Sequence, residues 1–498
     1  MSGENLYLAF ERVFAASAGR TALRSADGAT RLSFGDLAEG AARYANALAT
    51  LGVEPGDRVT VQIEKSPASV LLYLAVLKQG AVYQPLNTAY TAAEVDYFVA
   101  DAQPKLIVCD TARQGEMRAL ADRHKVFAVA NLDSQGEGSL ANLAASMDDR
   151  HETAARTADD LAGLLYTSGT TGRSKGAMIS HDNLASNARA LVDLWRITAD
   201  DRLLHALPVF HVHGLYVALN TAFLAGSEII WFPRFDAGAM IAAMPHATLM
   251  MGVPTFYTRL LGHPALTRET AAGMRLFISG SAPLLAETHE AFAARTGHAI
   301  LERYGMTETG MITSNPYDGP RVPGSVGFAL PGVAVRITGS QPGVIEVKGR
   351  NVFKGYWRMP EKTREEFTGD GYFITGDVGT MDATGRVSIV GRAKDMIISG
   401  GFNVYPKEIE DVLDTFPGIG ESAVIGVPHP DFGEGVVAVV TASGPLPSEP
   451  EIIAAASERL ARFKVPKRIF ELPELPRNAM GKVQKAELRK LYAACFSQ

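Results

Sequence analysis

The stretch YTSGTTGRSKG, residues 166–176, decides how this chain folds and narrows its chemistry. Thr167, Ser168, Thr170, Thr171 and Ser174 alternate with Gly169, Gly172 and Gly176 around Lys175, a composition that folds only as a tight, polar, cationic loop. Glycines let the backbone bring N–H groups close to an anion, hydroxyls add donors, and the lysine adds a point charge suited to phosphate. The apolar run Leu161–Leu165 directly before it reads as a buried strand, so the loop leaves a strand end. A plain surface turn has no need of so many Gly, Ser and Thr residues. The Walker A pattern ends in Lys followed by Ser or Thr, whereas here Lys175 precedes Gly176, so this is a triphosphate loop of another kind.

Outward from the loop, helical and strand patterns alternate. Leu37–Leu51 and Ala68–Gln79 repeat apolar residues at helical spacing, while Arg58–Ile63 and Pro104–Cys109 read as strands. Residues 131–160 are polar and aperiodic and read as a connection. Beyond the loop, strand runs at Leu203–Leu207, Thr248–Val253 and Leu276–Ser279 flank helical patterns at Asn183–Trp195 and Pro283–Arg295. Such alternation predicts an α/β fold of doubly wound, largely parallel sheets. From Val326 to Val390 short alternating strands between glycine turns predict a β-rich subdomain, about 326–391. After Gly391 the pattern changes to a compact α+β unit, with helices over 404–415, 448–463 and 484–494 around a strand-rich 422–442. The expected division is a large N-terminal domain, 1–391, and a small C-terminal domain, 392–498.

Composition limits the partners. The 498 residues are 47% hydrophobic and 20% charged, with a net charge of −6 and no basic run, which argues against nucleic acid. Cys109 and Cys495 stand in no metal-ligand spacing and suggest a reducing compartment. The start MSGENLYLAFERVF has no basic segment followed by an apolar core, and the longest apolar stretch, Ala222–Phe232, is broken by Glu228. A cytoplasmic protein that engages no membrane is expected, in an oligomeric state that the sequence leaves open.

Five further segments carry polar residues that a fold alone does not demand: PVFHVHG (208–214), SGSAPL (279–284), ERYGMTE (302–308), ITGDVG (374–379) with GRAKD (391–395), and PRNAMGKVQK (476–485). With YTSGTTGRSKG, in this order and spacing, they resemble the adenylate-forming acyl-CoA synthetase superfamily over nearly the whole chain. The resemblance implies a two-step reaction on small molecules: a carboxylate and ATP give an acyl-adenylate and pyrophosphate, then a thiol, usually that of coenzyme A, displaces AMP. It implies that Thr167, Ser168, Gly169, Thr170, Thr171, Gly172 and Lys175 hold the β- and γ-phosphates. Tyr304 would stack on adenine, with Gly280, Ser281 and Ala282 along its edge and Glu302 and Gly305 beside it. Thr307 would contact the α-phosphate, Glu308 would hold Mg²⁺, and Asp377, supported by Arg392, would take the ribose hydroxyls.

Lys482 is the expected catalytic cation of the first step, because two anions must meet while charge builds on the α-phosphoryl group. The resemblance makes Lys394 the hinge on which the C-terminal domain rotates, bringing Gly400 and Gly401 to the coenzyme A channel. Arg303 departs from the glycine that many relatives carry before Tyr-Gly. A buried guanidinium needs a carboxylate, brought by a dicarboxylic substrate or supplied by Glu302. The constellation HVHGL, GVPTFYTRL and LERYGMTE is similar to malonyl-CoA synthetases, which implies that Arg259, Ser281 and Arg303 grip a distal carboxylate, Met306 walls the α-carbon, and His211 closes the pocket. Other readings stay open here: a ligase for another short acid with Arg303 paired internally, transfer to a carrier-protein thiol, and a nucleotide-binding regulator without turnover.

Overall fold

The computed structural model of the chain describes residues 4–167, 174–478 and 481–496. Among them, two largely parallel sheets organise the first 330 residues. The six-stranded sheet runs in the order 128–131, 106–109, 58–62, 82–85, 161–167, 175–180 and is parallel except for its last pair. The nine-stranded sheet has a parallel centre, with strands 301–306, 276–279, 249–252, 202–205, 228–231 and 21–25 in that order, and antiparallel edges. Helix Pro67–Lys78 packs beside helix Phe34–Thr50. Ser66 caps it, Pro67 opens it, and apolar residues surround it, which is how a fully buried helix reads. One continuous apolar core spans both sheets.

A four-stranded antiparallel sheet follows, with strands Val333–Thr338, Gly343–Gly349, Phe373–Met381 and Val387–Arg392. Its last strand ends at Arg392, and residues 393–395 form a single 3₁₀ turn. Beyond the turn, strands Ile419–His429 and Gly433–Ala442 and helices Pro406–Leu413, Glu449–Arg459 and Lys485–Leu491 build their own apolar clusters. No helix among the described residues is long and apolar enough to cross a membrane.

One local expectation is corrected. The 131–160 connection contains helix Ser139–Ala145, too short to show a period although Leu140 and Ala144 are buried. The segment ITGDVG is part of strand Phe373–Met381.

Candidate active site

The strands Leu161–Thr167 and Lys175–Ser180 pair as a hairpin, with Thr167 opposite Lys175. The expected phosphate residues Ser168, Gly169, Thr170, Thr171 and Gly172 lie outside the described residues. At the hairpin mouth, Thr167 Oγ1 donates to Glu308 Oε1 at 3.3 Å and Tyr356 Oη donates to the same oxygen at 3.1 Å. Burial raises the Glu308 pKa. A buried carboxylate of this kind suits a hard cation, which would keep it ionised. Lys175 rests 3.2 Å from Glu366 Oε1 and 4.0 Å from the centre of the Tyr356 ring. Neither Tyr356 nor Glu366 is singled out by the sequence; the GYW run at 355–357 is the signal for Tyr356, and Glu366 has none.

Asp377 and Arg392 are cross-strand partners at the end of the four-stranded sheet. Arg392 Nε lies 2.6 Å from Asp377 Oδ1, and Tyr304 Oη donates to Asp377 Oδ2 at 2.5 Å. Tyr304 reaches it from strand Leu301–Met306, whose turn to Gly310–Ser314 carries Thr307 and Glu308. Gly305 is required there: a Cβ would come 2.2 Å from the Gly310 carbonyl oxygen. Ser281 follows strand Leu276–Ser279 with φ of 71°, a left-handed conformation, and Ala282 is half-buried beside it.

Arg303, on strand Leu301–Met306, is buried at 3% exposure, and its Nε and Nη2 have no hydrogen-bond partner among the described residues. The alternative in which Glu302 neutralises it is corrected by the strand pleat, which sends successive side chains to opposite faces. Glu302 instead contacts His289 Nδ1 at 3.2 Å and accepts from the Gly324 N–H at 3.3 Å, which turns its carboxylate away from Arg303. Tyr257 is no partner either, since its hydroxyl donates to the Ile278 carbonyl at 2.7 Å. Gly280 makes room for the guanidinium: a Cβ there would lie 2.4 Å from Arg303 Cζ. Burial without a counter-ion pushes the Arg303 pKa down to about 9.

Two imidazoles feel the charge of Arg303. Burial, then the charge of Arg303, pushes the His211 pKa down to about 4 and that of His213 well below its ordinary value. Both rings are therefore neutral at pH 7. His213 is fully buried with Nδ1 3.3 Å from Ser281 Oγ and Nε2 without a partner among the described residues. Ser279 Oγ, also buried, has no partner. Met306 is half-buried against the main core. Arg259 is exposed, one turn beyond Thr255 on helix Pro254–Leu261.

The C-terminal segment reaches helix Pro254–Leu261. Arg477 pairs with Val483 across a tight turn, and Gly481 within it approaches Thr255, where a Cβ would be 3.0 Å from Thr255 Oγ1. Lys482 follows, and its pKa is pushed down to about 8 by desolvation, then by Arg392, against the pull of Asp377. Lys394 sits in the 3₁₀ turn. Gly400 and Gly401 are exposed, at φ of 57° and 82°, in the turn between strands Ile397–Ser399 and Phe402–Val404. In this orientation Lys482, rather than the glycine turn, feels the charges of Arg392 and Asp377.

The arrangement brings together a buried carboxylate at Glu308, the Asp377–Arg392 ion pair with Tyr304, and the buried, unpaired guanidinium of Arg303. The model of the AMP-binding enzyme family matches residues 10–357, and that of its C-terminal domain matches residues 408–482. The chain is 54% identical to ATP-bound MatB from Rhodopseudomonas palustris, covers 100% of both chains, and superimposes with a TM-score of 0.96. It is 35% identical to a malonate–CoA ligase from Arabidopsis thaliana over 87% of this chain and 78% of that one. It is 36% identical to a feruloyl-CoA synthase from Amycolatopsis over 93% and 95%, respectively.

Proposed function

The chain belongs to the AMP-binding enzyme family and is an acid–CoA ligase that uses ATP, and from that premise we propose that its acid is malonate. The observation that carries the choice is the buried guanidinium of Arg303, unpaired by any acidic side chain among the described residues. An uncompensated buried charge costs several kcal/mol, and the distal carboxylate of a short diacid would remove that cost bidentately. Neutral His213 and Ser281 would add hydrogen bonds without adding charge, and Met306 would leave room for the methyl of methylmalonate. Similarity to a feruloyl-CoA synthase favours an uncharged aromatic acid instead, but such an acid would leave Arg303 unpaired.

In this reading the near carboxylate of malonate attacks the α-phosphorus and pyrophosphate leaves, with Thr307 and Lys482 stabilising the charge that develops. Asp377 and Arg392 orient the ribose, and Tyr304 supports adenine. Mg²⁺ held at Glu308 would neutralise the phosphates. The thiol of coenzyme A then attacks the acyl carbon and AMP leaves. For that step residues 396 onward pivot at Lys394 and carry the turn of Gly400 and Gly401 to the pocket, while Lys482 withdraws. Both cysteines are free thiols, in keeping with a cytoplasmic setting.

Malonate-dependent ATP–pyrophosphate exchange without coenzyme A, followed by equal yields of AMP and malonyl thioester when it is added, is the expected result. Exchange that ignores the acid would contradict the reading. Gly280→Ala is a finer check. Its Cβ displaces the guanidinium, so KM for malonate should rise on the order of tenfold while KM for ATP stays near the parental value.

A further inference from the structure

Lys175 opens strand Lys175–Ser180 at the end of the glycine-rich loop, and its ammonium already has two neighbours. Glu366 Oε1 lies 3.2 Å away and the centre of the Tyr356 ring 4.0 Å away. The same tyrosine donates its hydroxyl to Glu308 at 3.1 Å, so one ring joins Lys175 to that carboxylate. Glu366 follows helix Pro360–Glu365, and its carbonyl accepts from the Ile374 N–H at 2.8 Å, on the strand that carries Asp377. The sheet therefore pins Glu366 beside Lys175. A second cation shares it: Lys362 Nζ lies 3.2 Å from the same Glu366 oxygen and 3.0 Å from Glu365 Oε2. The side chains of Lys175 and Glu366 are 13% and 23% exposed, so water and salt screen their attraction only in part.

We propose that Glu366 is a positioning residue that tempers the grip of Lys175 on polyphosphate, so that pyrophosphate leaves readily after adenylation. The inference rests on the ligase reading, in which Lys175 meets the β- and γ-phosphates. An ammonium that binds ATP and pyrophosphate equally well lowers KM without raising kcat, and it slows product release. A carboxylate at 3.2 Å offsets part of that attraction, because a phosphate must compete with Glu366 for the same charge. Lys362 loosens the hold of Glu366 in turn, since it shares the same oxygen. The grip on polyphosphate is then set by two ammonium groups balanced on one carboxylate. In this reading the acid is held by other residues, Arg303 and His213 among them, so KM for malonate should not follow.

The test uses the full chain as Glu366→Gln and as Lys362→Met, with ATP and pyrophosphate each titrated calorimetrically in the presence of Mg²⁺ and without acid. Glutamine keeps the shape and the backbone anchor of Glu366 and removes only its charge, while Lys362 keeps Glu365 as a partner. Glu366→Gln should bind both ligands about three- to tenfold more tightly, the scale of one partly screened charge beside the phosphates. Lys362→Met should bind them about threefold more weakly, because Glu366 then holds Lys175 alone. KM for malonate should stay within about twofold of the parent in both variants. Three results would overturn the proposal: unchanged or weaker ATP binding in Glu366→Gln, which would make the carboxylate a strut that aims Lys175; tighter binding of ATP but not of pyrophosphate; or a KM for malonate that moves with the affinity for ATP. A parent protein that binds ATP without malonate-dependent exchange would count instead against the ligase reading.

Discussion

Arg303→Met should lower kcat/KM for malonate by roughly 10²–10³-fold while acetate and propionate stay within about fivefold of their parental values. The asymmetry follows from what the guanidinium lacks. Arg303 is buried against Gly280 with two nitrogens unpartnered and no carboxylate paired with it among the described residues, because Glu302 is committed to His289 and Gly324. Malonate would complete the pair; a monoacid cannot. Methionine keeps the side-chain volume and discards only the charge, so packing losses are small. Steady-state kinetics on the three acids decides the matter, and equal losses on all of them would make Arg303 a structural residue.

Lys482→Ala should slow adenylation by about 10²–10³-fold and leave thioester formation from a preformed acyl-adenylate within about threefold. The lysine acts as a cation, and desolvation beside Arg392 pushes its pKa down to about 8. The active form is the protonated one. Adenylation kcat/KM, which reports the free enzyme, should therefore hold steady at lower pH and fall as pH rises through about 8, where an ordinary lysine would persist to about pH 10. Lys482→Arg keeps the charge at every accessible pH and should abolish that fall while retaining partial rate. A parental profile flat to pH 10 would remove Lys482 from the chemistry.

The sequence makes legible what is local. The density of Gly, Ser and Thr after Leu161–Leu165 places a loop at a strand end, and the hairpin of Leu161–Thr167 with Lys175–Ser180 stands there. The β-rich stretch around 333–392 and the separate C-terminal unit follow from changes in periodicity. What escapes is set by distant packing. Whether Arg303 is paired depends on His289, on a helix thirteen residues earlier, claiming Glu302 across the strand. Nothing in the sequence separates His213 from its neighbours, yet its Nδ1 meets Ser281 and its Nε2 has no partner among the described residues. Tyr356 meets Glu308 only because the chain returns after 48 residues, and no spacing rule announces that contact. Helix Ser139–Ala145 is hidden by its brevity.

The most direct measurement is a panel of acetate, propionate, malonate, methylmalonate and succinate with ATP, Mg²⁺ and coenzyme A, following AMP and thioester together. Malonate should exceed the monoacids in kcat/KM by about two orders of magnitude or more, since they leave the buried guanidinium unpaired. Methylmalonate should follow it closely, because one methyl alters binding by only about 1–3 kcal/mol. Acetate or propionate in the lead would contradict the account, leaving an acid–CoA ligase whose buried arginine is not a carboxylate clamp.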